Sequence, residues 1–444
     1  MSDPGPSPLG PSPLGPSPLA AGERNLSVDE ARAAIAAAIR PLARSESHEV
    51  PVDRAVGRVL AADVVSPIDV PAHDNSAMDG YAFAGSALVA DAPTVLRAAG
   101  IVYAGRPHAG TVPAGQCLRI MTGAVMPEGT DTVVPLELVQ VQGAAETGEV
   151  HVPPGVIRAG ENRRRRGEDL AAGKPALVAG RVLRPADLGL AASLGLTHVR
   201  VMRPLRVALF STGDEVVEPG QALPEGCIYD SNRFSLGAAL ARLGMEVVDL
   251  GLVPDDRAAL AAVIERAVRE ADVVITSGGV SAGDADYTRD ILAAAGDVAF
   301  WKVAMRPGRP FAFGPLKRPT AAAGGAPSWL FALPGNPVAA LVTFYAFVRE
   351  ALLVLAGATA APLPVLRARS TAAIRKRPGR TEFQRAIVEP APDGNGWQVR
   401  LFGSQGAGVL RSMSEANALV VLGHEQGSVA AGDAVPVWLF DGLV

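Results

Sequence analysis

Apolar positions change their spacing several times along the chain, and each change marks a different kind of element. Between Ser27 and Ile39, Ile35 and Ile39 share one helical face. Ser27 stands as N-cap and Glu30 completes a capping box, so the stretch predicts an amphipathic helix. From about Val50 to Leu183 the pattern turns to short apolar runs, such as Cys117 to Met121 and Thr132 to Val141, separated by Gly, Pro and Asp. That is the signature of β-rich structure with long loops. Arg184 to Leu196, with Leu188, Leu190, Ala191 and Leu194, predicts a short helix.

Between Leu205 and Gly357 strand-like runs (Arg206 to Phe210, Glu246 to Leu250, Asp272 to Thr276) alternate with helical stretches (Asn232 to Leu243, Asp256 to Glu270). This βαβαβ order predicts a parallel sheet covered by helices, with ligands beyond the carboxyl ends of its strands. A further apolar strand, Trp329 to Leu333, leads into a long helix, Val338 to Leu355. After Gly357 the runs Val365 to Ile374, Phe383 to Val388, Trp397 to Phe402, Leu419 to Leu422 and Ala434 to Leu439 read as strands, with a hairpin turn at Asp393 to Gly396. A small all-β domain of about 85 residues follows.

The N-terminal end breaks every periodicity. Residues 5 to 19 repeat Gly-Pro-Ser-Pro-Leu three times, and prolines at that density make neither helix nor sheet ladder, so residues 1 to 22 read as a disordered tail outside the fold. The 444 residues, at about 150 per domain, leave room for roughly three folded units. A net charge of −4 gives no overall field for nucleic acid or anionic lipid, so neither partner is expected. Cys117 and Cys227 form no CxxC pair and the six histidines form no HExxH, which excludes a disulfide framework and a thiolate zinc site. A metal would sit on oxygen ligands, magnesium first. No uninterrupted apolar stretch reaches the roughly 18 to 20 residues that span a bilayer and no signal peptide is present, so a cytoplasmic protein is expected.

Candidate chemistry lies in the loops after the parallel strands. Ser277-Gly278-Gly279-Val280-Ser281-Ala282-Gly283-Asp284-Ala285-Asp286 has the make-up of a phosphate cradle, with glycines for close backbone approach, two serine hydroxyls and a helix start. An ordinary tight turn, with Asp284 and Asp286 as caps, is the alternative. Ser211-Thr212-Gly213-Asp214-Glu215 sets two acids at another strand end, where a cation between them and a phosphate would suit both, or where they are simply solvated. Of Asp255 and Asp256, an Asp just before a helical run is more often its cap than a ligand. Leu333-Pro334-Gly335-Asn336-Pro337 is explained as strand end, cap and first turn, yet it also presents a helix N-terminus. Lys302, Arg306 and Arg309 could hold an anion or form a charged edge strand. Asp79, before Gly80, could be only a turn residue, and the run Arg163 to Arg166 only a solvated hairpin tip.

In chain order, DNSAMDGYA, RIMTGAVMPEGTD, RRRRGEDL, STGDEV, IYDSNR, ITSGGVSAGDADYT, FWKVAMRPGRPFAFG and LPGNPVA resemble the molybdopterin molybdenumtransferase family, to which bacterial MoeA and the gephyrin E domain belong. The resemblance runs from about Leu26 to the C-terminus. It implies a multidomain α/β plus β fold: a discontinuous linking domain (23–65 and 170–203), a β-rich domain (66–169), a central doubly wound molybdopterin-binding domain (204–357) and a small barrel-like C-terminal domain (358–444). It also implies an elongated homodimer with its cleft at the subunit interface, and a possible molybdopterin adenylyltransferase partner. The implied reaction is insertion of molybdate into adenylylated molybdopterin, with Mg²⁺ help and release of AMP.

Residue by residue, the family's functional acids fall on Asp79, Glu215, Asp255 and Asp286, and its threonine on Thr122. The resemblance makes Asp79, Glu215 and Thr122 catalytic, and Glu215, Asp286 and Asp79 metal-linked. Ser277, Gly278, Gly279, Ser281, Asp255, Asp286, Lys302, Arg306, Pro334, Pro337, Arg164 and Arg165 are implied to bind substrate. Arg306 stands where bacterial members have a lysine, and its guanidinium can grip phosphate in a two-pronged way that lysine cannot. Two other classes compete: a nucleotide pyrophosphatase built on the βαβ domain, and a binding scaffold of the gephyrin type.

Overall fold

The computed structural model describes residues 25–43, 46–279, 286–318, 326–359 and 363–442. The Gly-Pro-Ser-Pro-Leu repeat, Ser281 and Asp284 lie outside the described residues, and Asp286 is described only in its backbone. The chain divides into two compact units: one holds the N-terminal segment to His48, Gly57–Ala61 and everything from Val201 onward, the other holds Glu49–Val56 and Ala62–Arg200.

The first unit contains a seven-stranded sheet. Its strands are β1 (Asn25–Leu26), β2 (Arg206–Thr212), β3 (Glu246–Val253), β4 (Val273–Ser277), β5 (Ala299–Val303), β6 (Pro310–Leu316) and β7 (Ser328–Leu333), in the order β1-β5-β6-β7-β4-β2-β3. β7, β4, β2 and β3 run parallel, while β6 is antiparallel to both β5 and β7. The chain leaves β2 for β3 on one side and returns to β4 on the other. The strand order therefore reverses at β2, and the crevice beyond the ends of β2 and β4 is a topological switch point, where ligands of open α/β sheets bind.

Alternation along the strands fixes which helices cover which face. Val207 and Leu209 of β2 pack in one core with Leu236 and Leu240 of helix α2 (Asn232–Arg242) and with the long helix after β7. Ala208 and Phe210 point the other way, onto Leu260 and Ile264 of α3 (Arg257–Glu270) and Ile291 and Leu292 of α4 (Asp286–Ala295). The few aromatics are concentrated on the first face, where Trp301 lies 5.9 Å from Phe311 and Phe311 lies 5.2 Å from Phe347, ring centre to ring centre. The N-terminal helix spans Val28–Ala38; Ser27 Oγ accepts from Glu30 N at 3.2 Å and Glu30 Oε2 from Ser27 N at 2.8 Å, the reciprocal capping box that the sequence predicts.

The helical run Pro337–Leu355 follows β7. It is 19 residues long with a mean hydropathy of 1.9, long and apolar enough to cross a membrane, although Arg349 and Glu350 interrupt the apolar stretch. Seventy-two per cent of it is buried within the fold, the state of a core helix. A π-helical turn at Phe344–Val348 divides it.

Beyond it, Thr381–Pro390, Trp397–Leu401, Leu366–Ser370, Ala434–Leu439 and Ala418–Leu422 pair in that order, and Thr381–Pro390 pairs again with Ala418–Leu422. The result is a closed five-stranded barrel, which removes exposed strand edges. Met305–Arg306 pairs with its Thr381–Pro390 strand. The second unit holds a six-stranded sheet, in the order Thr132–Pro135, Gly80–Phe83, Gln116–Ile120, Thr94–Val102, Glu149–Val152, Gln140–Gln142. The apolar run Thr132 to Val141 is not one strand: it breaks after Pro135 into a 3₁₀ turn, Leu136–Leu138, because proline cannot donate to a ladder.

Candidate functional site

A cleft of about 490 Å³ opens at the switch point of the first unit, lined by Thr212, Glu215, Asp255, Gly278, Gly279 and Pro337 among others. Its floor is backbone. Gly278 adopts φ +96°, and a Cβ there would lie 2.3 Å from the Thr212 carbonyl oxygen, so only glycine lets the ends of β2 and β4 meet. The donors expected of this turn are partly spent inside the protein: Gly278 N donates to Leu333 O at 3.1 Å, and Ser277 Oγ points to Pro334 O at 3.4 Å while accepting from Asn232 Nδ2 at 2.7 Å. Gly279 lines the cleft beyond them. Opposite stands the start of the Pro337 helix. Asn336 holds its N-cap position without a side-chain cap bond, and Val338 N donates to Ala407 O at 3.0 Å instead.

Two adjacent aspartates divide their work. Asp256 Oδ2 accepts from Ala259 N at 2.8 Å and caps α3, while Asp255 is half-buried in the cleft wall, its N–H donating to Asp214 Oδ1 at 3.2 Å. Glu215 is exposed on the loop after β2. Asp230 also lines the cleft, but buried Arg233 claims it, donating to its Oδ2 at 3.1 Å as well as to Asp249 and Glu218 at 2.5 Å each. Burial works against the Arg233 charge, yet these carboxylates outweigh it and raise its pKa. Among the described residues no three His, Cys, Asp or Glu gather into a metal cluster. The donor set is nevertheless all oxygen: Glu215, Asp255 and Thr212, whose Oγ1 is enclosed without a hydrogen-bond partner. That suits Mg²⁺, which takes one or two carboxylates and completes its shell with water and substrate phosphates.

Pro337 and Glu215 also line a second opening, of about 600 Å³, which Pro334 borders and which leads to Arg306 and Arg380. Arg306 borders a third, of about 710 Å³, together with Arg375, Lys376, Arg377, Arg380 and Arg385, against the single acid Glu382. Arg385 is fully buried and donates to Ser412 Oγ at 3.0 Å and to the carbonyls of Ser404 and Gly406 at 3.2 and 2.9 Å. Burial, with the charge of Arg306, lowers its pKa to about 10. Lys302 is exposed on β5, in register with Asn25 and Pro310, and is not among the residues lining these three openings. Thr212 and Asn232 lie in the STGDEV and IYDSNR motifs without having been assigned a role, and the barrel cations are additions to the sequence-based set. The string Arg375 to Arg385 was the one visible signal of those cations, but a basic run reads as a solvated face until the barrel closes around it.

The second unit carries its own constellation. Thr122 N and Oγ1 both donate to Asp79 Oδ1 at 2.6 Å. Those two donations, helped by the charge of Arg119, hold the Asp79 carboxyl below the usual carboxylate range. Arg163–Arg164 forms a short ladder with Asn75–Ser76. Arg163 lies 3.7 Å from Asp74 and Arg166 is paired to Asp69 at 2.6 Å, while Arg164 and Arg165 are exposed.

Family models match three stretches: the MoeA N-terminal region (domain I and II) over residues 26–195, a probable molybdopterin binding domain over 208–354, and the MoeA C-terminal region (domain IV) over 367–440. The molybdopterin molybdenumtransferase of Haemophilus influenzae is 40% identical over 403 residues, 90% of this chain and 95% of that protein. Molybdopterin molybdenumtransferase 2 of Mycobacterium tuberculosis is 38% identical over 398 residues, 88% and 94% of the two chains. Among solved structures, the molybdopterin biosynthesis moeA protein from Pyrococcus horikoshii OT3 matches with a TM-score of 0.78 at 27% identity, covering 94% of this chain and 100% of that one. The chain belongs to the molybdopterin molybdenumtransferase (MoeA) family.

Proposed function

We propose that the chain is a molybdopterin molybdenumtransferase, an enzyme of molybdenum cofactor biosynthesis that inserts molybdenum into molybdopterin. The observation that carries this reading is a shared wall: Glu215, Ile228, Gly335, Asn336 and Pro337 line both the polar cleft at the switch point and the opening that leads to Arg306. A substrate with phosphate at one end and an oxyanion acceptor at the other meets matching groups along one path.

In the finer reading the substrates are adenylylated molybdopterin and molybdate. Gly279 and the Pro337 helix start face the phosphates, where backbone dipoles favour negative charge. Arg306 holds anionic substrate, with Lys302 a further cation outside the three openings, and Arg164 and Arg165 add a second basic segment. Glu215 in the first unit and Asp79 in the second are each assigned a carboxylate role, orienting or deprotonating water, with Thr122 fixing Asp79. The water oxygen bonds to phosphorus, the phosphoanhydride P–O bond breaks, and AMP departs. Magnesium would be held by Glu215, with Asp286 and Asp255 as the other acids of the same unit, and would supply neutralising charge beside the phosphates. The protein acts in the cytoplasm as a homodimer with the cleft at the subunit interface, and receives its substrate from a molybdopterin adenylyltransferase.

The test is AMP release from adenylylated molybdopterin by the purified protein, with molybdate and Mg²⁺ present and with each omitted. Release that needs both supports the reading. Release indifferent to molybdate points to a nucleotide hydrolase, and tight binding without release to a scaffold.

A further inference from the structure

We propose that Asn232 is a positioning residue for the transfer reaction, a role that rests on the reading above. Its amide nitrogen donates to two different loops, to Ser277 Oγ at 2.7 Å and to the Gly335 carbonyl at 2.6 Å. A backbone carbonyl only accepts, so the amide has one possible orientation, with nitrogen toward Gly335. Ser277 completes the clasp toward Pro334 O at 3.4 Å. Asn232 is the first residue of α2 and is buried; the helix start is served by Asp230, whose Oδ1 accepts from Arg233 N at 3.1 Å, which leaves the Asn232 amide to the clasp.

The clasp joins the two elements that line opposite parts of the cleft, the turn after β4 and the loop before the Pro337 helix. The two elements also meet directly, Gly278 N donating to Leu333 O at 3.1 Å, and a Cβ on Gly335 would lie 3.7 Å from Gly278 Cα. The sheet ladder holds the two strands together as far as Ser277 and Leu333, and beyond that last pair the Asn232 side chain ties Gly335 back to Ser277. Alanine removes both anchors. Aspartate keeps the shape but turns an acceptor against the Gly335 carbonyl and adds negative charge beside the anion site. Positioning of this kind acts on how well the substrate is held.

The experiment uses the full chain with Asn232→Ala and Asn232→Asp, and reads KM and kcat for AMP release, calorimetric binding of adenylylated molybdopterin, and melting temperature. Asn232→Ala should raise KM and the dissociation constant roughly tenfold and Asn232→Asp further, with kcat within about threefold and little change in melting temperature. Wild-type KM in both variants overturns the proposal, as does a fall in melting temperature at unchanged KM. If neither variant folds, Ser277→Ala decides: a smaller KM increase supports the clasp and an unchanged KM overturns it. A wild-type chain that binds the substrate without turnover sinks the transferase reading alone, and the binding constants still judge Asn232. A wild-type chain that does not bind it overturns both.

Discussion

Thr122 donates twice to one oxygen of Asp79: its backbone N–H and its hydroxyl both reach Oδ1 at 2.6 Å. The carboxyl is thereby held below its ordinary range although it is exposed, so Asp79 is ionised throughout the physiological range. On the proposed reading, the two donations orient this carboxylate as well as keep it charged. Asp79→Asn should leave the melting temperature near wild type while suppressing AMP release by a hundredfold or more, on the order seen for positioned acid-base groups. Glu215→Gln should do the same. Wild-type turnover in either variant removes that residue from the mechanism.

Thr122→Val keeps the backbone donation and deletes the hydroxyl. The Asp79 pKa should rise toward the ordinary carboxylate value, and an NMR titration of the carboxyl carbon would read it. An acidic limb of turnover that belongs to Asp79 should move up in pH with it, because the carboxylate then takes its proton earlier as pH falls.

Asp272 offers a test of stability. It accepts from Arg203 Nη1 and Nη2 at 2.6 and 2.9 Å, from Arg206 N at 3.0 Å and from Arg318 Nη2 at 3.1 Å. Burial favours its neutral form, but these donors outweigh burial and depress its pKa. A depressed carboxylate contributes stability that is fully present above its unfolded value, about pH 4, and is lost as pH falls through the folded value. Asp272→Asn should cost about 2–3 kcal/mol at pH 7, and the gap to wild type should narrow below about pH 4. Denaturant melts at pH 7 and pH 3 would show it, and a gap independent of pH would exclude the linkage.

Gly278→Ala forces both a left-handed residue and a contact of 2.3 Å with the Thr212 carbonyl. A loss of at least about 1–2 kcal/mol follows from the backbone conformation alone, and denaturant unfolding measures it. The displaced turn should also raise KM for the adenylylated substrate.

Arg306→Lys keeps the charge and loses the two-pronged grip, whereas Arg306→Ala loses both. The molybdate concentration for half-maximal turnover should rise modestly in the first and by roughly tenfold or more in the second. Equal, unchanged values would place the oxyanion elsewhere.

The features that could be read before folding were those whose partners lie a few residues away. Ser27 and Glu30 are three apart, and their capping box is present. The βαβ alternation from Arg206 to Ser277 announced the parallel sheet, and the Asp393 to Gly396 turn does join two paired strands. Where the rule was a matter of odds, sequence stopped short: of two adjacent aspartates, Asp256 caps α3 and Asp255 faces the cleft, a choice made by where the strand end points the loop.

By itself, then, the sequence determined the elements, the class of sheet and the family signature, because capping, periodicity and turn chemistry are local. Tertiary structure alone decided which groups remain for chemistry. Ser277 looked like a donor for phosphate until its hydroxyl turned to the Pro334 carbonyl, 57 positions away. Arg385, which no local pattern singled out, is buried beside Arg306 by the closed barrel. A hydrogen bond already made cannot be offered to a ligand, and which bonds are already made depends on partners that only folding brings within reach.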